Sequence, residues 1–215
     1  MRDMAFTSDV TIVPANEASC GDLQAVLGTR GYAASCQCQR FKIRGRDWDL
    51  EWTKPGPAPT SFPVEERAHR LRTQTQCGHP ESDTTSGLIA YLEGEPVGWC
   101  AIEPRTAYIR LRGKPLVWAG RAEDKSDESV WAVTCFITRA GYRRLGVSRA
   151  LARAAVDFAR QRGARALEGY PMITEPGREV TWGELHVGSR SIFVDAGFTE
   201  VTHPTLRRVV MRIDF

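Results

Sequence analysis

The chain has 215 residues, 42% apolar and 26% charged, with a formal net charge of only +3. That length fits a single domain with a real core, and so small a charge argues against a nucleic-acid surface, which needs a stronger and more clustered basic face. The N-terminus has no apolar stretch of signal-peptide length, and the longest apolar run, Val130 to Ile137, is far too short to span a bilayer.

Val10 to Val13 predicts a short first strand ended by Pro14, and Asn16 a cap for a helix reaching Leu27. Cys36 to Gly45 shows no clear preference. Between Lys54 and Pro63 four prolines and a glycine mark a loop or linker. Val64 to Gln76 is polar and helix-compatible, and Cys77 to Ser86 is rich in turn formers. Gly87 to Leu92, the turn Glu93-Gly94-Glu95 and Pro96 to Ile102 predict a β-hairpin. Pro104 to Glu128 has no period and is expected to be a long loop, of the kind that serves function in compact domains. Val130 to Thr138 reads as a strand. From Val147 to Arg162 the residues Val147, Ala150, Leu151, Ala154, Phe158 and Ala159 recur at helical spacing, with Gly163 as C-terminal cap. Ala164 to Met172 is expected as a strand and Ser189 to Ala196 as a short helix. Gly197-Phe198 opens the final strands, which end with Val209 to Phe215. The order β, α, α, β-hairpin, β, α, β, α, β, β predicts a single mixed-sheet α/β domain over residues 1–215.

The chemistry concentrates where the strand ending at Thr138 meets the helix starting at Val147. A helix N-terminus carries backbone N–H groups without partners and the positive end of the helix dipole, so it attracts anions. Gly146 lets a phosphate approach the backbone, while Arg143 and Arg144 add forked cationic donors. A glycine turn alone is a weak signal; no Walker lysine follows and the three spaced glycines of a dinucleotide fold are missing.

The stretch Tyr142-Arg143-Arg144-Leu145-Gly146-Val147-Ser148 resembles the Arg/Gln-x-x-Gly-x-Gly/Ala acetyl-CoA loop of the GNAT superfamily of N-acetyltransferases. Ser148 stands where the family usually has Gly or Ala. Phe193-Val-Asp-Ala-Gly197-Phe198 is similar to the family's helix ending in a Gly-Phe turn, and the resemblance covers roughly Gly87 to Phe215. It implies a GNAT-like acyl-CoA N-acyltransferase fold, acetyl-CoA as co-substrate and direct transfer of acetyl to a primary amine. It also implies a cofactor site of Phe136, Ile137, Thr138, Arg143, Arg144, Leu145, Gly146, Val147 and Ser148, with Ser189 as a further contact. The backbone N–H of Phe136 would polarise the thioester carbonyl.

Proton transfer is less well marked. Phe193 stands where many members carry an acidic tyrosine, and Ala132 where histone-type members carry a basic glutamate. Glu168 and Tyr170, two apart on a strand and so on one face, are candidates for base and acid, and Glu103 is a second base. Solvated or salt-bridged roles account for each of them equally well.

Cys20, Cys36, Cys38, Cys77, Cys100 and Cys135 have no regular spacing and are expected to be thiols in a reducing cytoplasm, Cys135 as packing. Cys36-x-Cys38 with Cys77-x-His79 is tighter than usual zinc spacing, so no metal is expected. Glu103, Glu123, Asp124, Asp127 and Glu128 would suit a cationic acceptor, although a solvated acidic loop explains them too. The expected partners are a small-molecule or peptide amine and a second copy in a homodimer, with no nucleic acid and no membrane. Two alternatives stay open: a catalytically degenerate acyl-CoA-binding regulatory domain, and a transferase of longer acyl groups.

Overall fold

A computed structural model describes residues 10–44, 63–174, 177 and 180–215. The expected linker from Lys54 lies outside them up to Pro63. Seven strands form one mixed sheet: β1 (Val10–Pro14), β2 (Gly87–Leu92), β3 (Glu95–Pro104), β4 (Val130–Thr138), β5 (Ala166–Gly169), β6 (Thr199–Thr205) and β7 (Arg208–Asp214), in the order β1-β2-β3-β4-β5-β7-β6. Among the described strands, only β4 and β5 pair in parallel. The helices, in chain order, are α1 (Cys20–Leu27), α2 (Gly31–Cys36), α3 (Val64–Thr75), α4 (Ile109–Arg112), α5 (Pro115–Trp118), α6 (Val147–Gln161), α7 (Trp182–Leu185) and α8 (Arg190–Val194).

Strand β4 is apolar and buried along most of its length, as a strand covered on both faces must be. On one face Val133 and Phe136 join Val147, Leu151, Ala155 and Phe193 in a core under α6 and α8. On the other, Cys135 and Ile137 pack with Trp99, Leu23 and Leu71 beneath α1 and α3. A third cluster gathers Phe41, Tyr108, Leu111, Trp118, Ala132 and Tyr170. The β3–β4 register shifts between Ala101 and Ile102, passing over Thr134. This bulge lets Val133 and Phe136, three apart, both face α6.

Pairing of β4 with β5 stops at Val133 opposite Gly169, yet β4 continues to Thr138. Gly169 is needed there. A Cβ would lie 2.0 Å from Cε1 of Phe193, whose ring fills the notch. The strip Leu185–Ser189 enters the gap beyond. Phe136 N–H donates to the His186 carbonyl at 2.6 Å, and Met172 N–H to that of Gly188 at 2.9 Å.

The structure differs from the sequence expectations in local ways. Helix α1 starts at Cys20 under a Ser19 cap, because the Asn16 amide is turned instead to the Ser82 carbonyl at 3.0 Å. The expected 104–128 loop contains a 3-10 turn and the one-turn helices α4 and α5, pinned where Trp118 Nε1 donates to the Leu111 carbonyl at 2.8 Å. The strand expected to reach Met172 ends at Gly169, where β4 and β5 part. Cys20 and Cys77, expected as thiols, form a disulfide with Cα atoms 5.0 Å apart. Among the described residues no helix is long and apolar enough to cross a membrane.

Candidate active site

The turn into α6 is built from left-handed backbone. Arg144 has φ of 65° and Gly146, the N-cap, φ of 81°. Successive turns of that kind aim N–H groups outward together. Among the described residues, the N–H groups of Arg144 and Gly146 have no backbone partner. A Cβ at Gly146 would meet nothing within 4 Å, so the space in front of it is open. A groove of about 690 Å³, partly open to solvent, runs past this turn and is lined by Phe136, Thr138, Arg143, Arg144, Ser148 and Ser189. Thr138 Oγ1 and Ser148 Oγ lie 3.1 Å apart on its floor. Strand end, helix cap and hydroxyl pair thus form one anion-accepting surface.

The side chains of three other expected cofactor residues do not line the groove. Val147 is buried in the core, close against Gly98, and Ile137 turns its side chain to the α1 face. Leu145 is exposed at the turn. The Phe136 N–H, expected to face a thioester carbonyl, is taken by the His186 carbonyl, so it is not free in this conformation.

Glu168 and Tyr170 do share a face, with the Tyr170 hydroxyl donating to Glu168 Oε2 at 2.9 Å. Their surroundings oppose a proton-transfer role. Glu168 is fully buried, and its carboxylate receives Arg105 at 3.1 Å, Arg212 at 3.2 Å and the Arg121 guanidinium. Arg105 and Arg121 in turn stack on Trp118, at 4.8 and 4.9 Å from its ring centre. A carboxylate enclosed by three guanidinium groups and a phenol anchors a network and has no lone pair turned to a substrate. Burial and then the adjacent Glu168 charge push the Tyr170 hydroxyl well above the ordinary phenol range, so it is a poor acid.

Glu103 is placed differently. It lies opposite Ala132 in the β3–β4 register, and directly opposed residues face the same side of a sheet. Its carboxylate therefore stands one strand away from the position where the family's glutamate would be. Burial raises its pKa, while the ion pair with Lys42 works against the rise. Phe193, at the family's tyrosine position, is fully buried and stacks edge-on against Phe136 and Phe198 at 5.7 and 5.0 Å.

Three of the acidic residues expected to attract a cation are engaged elsewhere. Glu123 pairs with Arg121 and Arg212, Asp127 with Arg165 and Ser129, and Asp124 with Ser126. Cys38 and Cys135 face each other at 3.3 Å, and Trp99 Nε1 donates to Cys38 at 3.0 Å. The Cys38 contact and burial push the Cys135 thiol well up, away from any nucleophilic state. Among the described residues, no group of three or more His, Cys, Asp or Glu is arranged to hold a metal ion.

Sequence spacing did not point to His186. It is 7% exposed, and Nδ1 lies 2.7 Å from the Gly183 carbonyl. A carbonyl only accepts, so Nδ1 carries the hydrogen and Nε2 is left a bare acceptor with no partner among the described residues. Burial, then the charges of Arg40, Arg208 and Lys114, lower its pKa to about 4.

Comparison with known proteins identifies the family and the fold. The model of the acetyltransferase (GNAT) family matches residues 47–170, more than half of the chain. The GNAT domain of S. lividans PAT superposes with a TM-score of 0.50 at 16% identity, over 96% of this chain and 90% of that one. An N-acetyltransferase from Staphylococcus aureus Mu50 gives a TM-score of 0.50 at 14% identity, over 96% and 99% of the two chains. At such identities the likeness speaks for the fold. No curated protein sequence matches the chain.

Proposed function

Because the chain belongs to the GNAT acetyltransferase family, we propose that it moves an acetyl group from acetyl-CoA to a primary amine by direct attack within a ternary complex. The observation that carries this is the left-handed turn at the head of α6, with Arg143, Arg144, Thr138 and Ser148 around one groove. That donor set fits a pyrophosphate: outward N–H groups, two guanidinium groups and a helix N-terminus. When bound, acetyl-CoA supplies the activated acyl group as a thioester.

The protein's own residues do the rest. Arg143 and Arg144 neutralise phosphate charge at the groove mouth. Thr138 and Ser148 offer hydroxyls on its floor. Once the His186 carbonyl withdraws, the Phe136 N–H is free to polarise an acyl carbonyl at the end of the groove. The acceptor amine, with a free pKa of about 10.4, must lose a proton before it attacks. Glu103 is the base we assign, since its burial favours taking up a proton and it lies beside Ala132. Glu168 and Tyr170 hold the wall behind it.

A screen of primary amines, following release of free CoA thiol, tests the reaction. R143E/R144E is expected to weaken acetyl-CoA binding by at least about tenfold, and E103Q to slow turnover without changing that binding. Unchanged acetyl-CoA affinity in R143E/R144E would place the cofactor elsewhere. A second reading, an acyl-CoA-binding domain without catalysis, draws on Phe193, Ala132 and the occupied Phe136 N–H; it predicts tight acetyl-CoA binding and no thiol release with any amine.

A further inference from the structure

A second cleft backs onto the first. It holds about 770 Å³ of empty space, partly open to solvent. His186 and Val187 line it, while Leu185, Gly188 and Ser189 of the same strip line the α6 groove. A ligand here would lie across one strip of chain from the acyl donor. Its floor is apolar, from Phe41, Val187 and Val210.

The rim is cationic. Arg40 comes from the turn after α2, Lys114 caps α5, and Arg208 begins β7. Among the described residues none of the three forms an ion pair with a carboxylate. Arg40 donates to the Tyr32 hydroxyl at 3.0 Å, and Lys114 lies 5.5 Å from the Phe41 ring centre. Many arginines elsewhere are answered: Arg105, Arg121, Arg139, Arg149, Arg165 and Arg212 all have acidic partners. The cleft's own acid, Glu184, is occupied by Thr181 and by Arg207 at 3.3 Å. Partial desolvation and then the charges of Arg110, Arg40 and Arg208 lower the pKa of Lys114, so the cations repel one another across the cleft. Like charges held together on an apolar floor favour an anionic ligand. His186 also lines the cleft, its Nε2 buried and without a partner among the described residues.

We propose that this cleft takes an acceptor that carries an anionic oxoacid group, a carboxylate or phosphonate, beside its amine, with the anion held by Arg40, Lys114 and Arg208. The proposal rests on reading the α6 groove as the acetyl-CoA site, and it replaces the cationic acceptor that the acidic residues suggested.

Binding measured apart from turnover keeps the two readings separable. The full chain is titrated calorimetrically with an α-amino acid, its amide, an aminoalkylphosphonate, the alkylamine of equal length, and a diamine. The two anionic probes are expected to bind about tenfold to a hundredfold more tightly than the uncharged-tail probes, and the stronger of the two identifies the headgroup. R40Q/R208Q should erase that preference while keeping acetyl-CoA affinity. K114Q, altered at the exposed rim, should reduce it and serves if the double variant unfolds. Equal or tighter binding of the amide, the alkylamine or the diamine would overturn the proposal, as would an intact preference in folded variants. Anion preference without acetyl-CoA binding would overturn the transfer reading alone; acetyl-CoA binding without the preference would overturn this one alone.

Discussion

His186 makes stability depend on pH in a way that can be isolated. Its folded pKa is lowered to about 4, first by burial and then by Arg40, Arg208 and Lys114, against about 6.5 in an unfolded chain. Above about pH 6.5 the ring is neutral in both states and contributes nothing. As the pH falls below that value, the unfolded chain takes up a proton that the folded one refuses. Stability therefore declines, by up to about 1.4 kcal/mol per pH unit, until the folded ring also protonates near pH 4. The full window corresponds to about 3 kcal/mol. H186N keeps a donor for the Gly183 carbonyl and removes the titration. Urea unfolding followed by tryptophan fluorescence, run on both proteins from about pH 7.5 to about pH 4.5, gives the difference between them with other groups cancelled. Wild type should lose about 2 to 3 kcal/mol relative to H186N across that range. A difference that stays constant with pH would refute the reasoning, and would mean the ring takes up its proton as readily folded as unfolded.

Three more outcomes follow from packing and charge. E168Q leaves Arg105, Arg121 and Arg212 without their common buried carboxylate, and should lower stability by about 3 to 5 kcal/mol in denaturant melts; a loss of activity with unchanged stability would make Glu168 a chemical participant instead. G169A drives a methyl group into the Phe193 ring and should cost about 1 to 3 kcal/mol. Pairing it with F193L should recover part of that loss, and strict additivity of the two changes would show that the ring does not fill the notch. C20A/C77A removes a link spanning 57 residues of chain, for which loop entropy gives about 4 kcal/mol; insensitivity of the melting midpoint to the substitutions and to reductant would show that the bond does not form in solution.

What could be read from the sequence was what lies close together along it. Helix α6 and strand β4 announce themselves through long apolar patterns, and the turn proposed to hold the anion is contiguous from Thr138 to Ser148. Pattern fails where elements last a single turn, as in α4, α5 and α7, since no period can be established over four residues. The shared face of Glu168 and Tyr170 followed from their spacing, but the arginines that surround them come from positions 105, 121 and 212. Spacing also could not show that Cys20 meets Cys77, or that Gly169 and Gly188 are small because Phe193 lies against both. The cleft of Arg40, Lys114 and Arg208 exists only once three distant segments are folded together.

The two proposed binding surfaces are therefore encoded in opposite ways. The groove at α6 is one uninterrupted stretch whose shape depends on a left-handed turn, so most changes within it disturb the whole. The cleft draws single side chains from a turn, a helix cap and a strand end, none of which shapes the backbone around it. Each can be exchanged without reshaping that backbone. On the proposed reading, acceptor choice changes by single side-chain steps while the donor site keeps its backbone, an asymmetry that suits the molecule to laboratory evolution of new acceptor preferences.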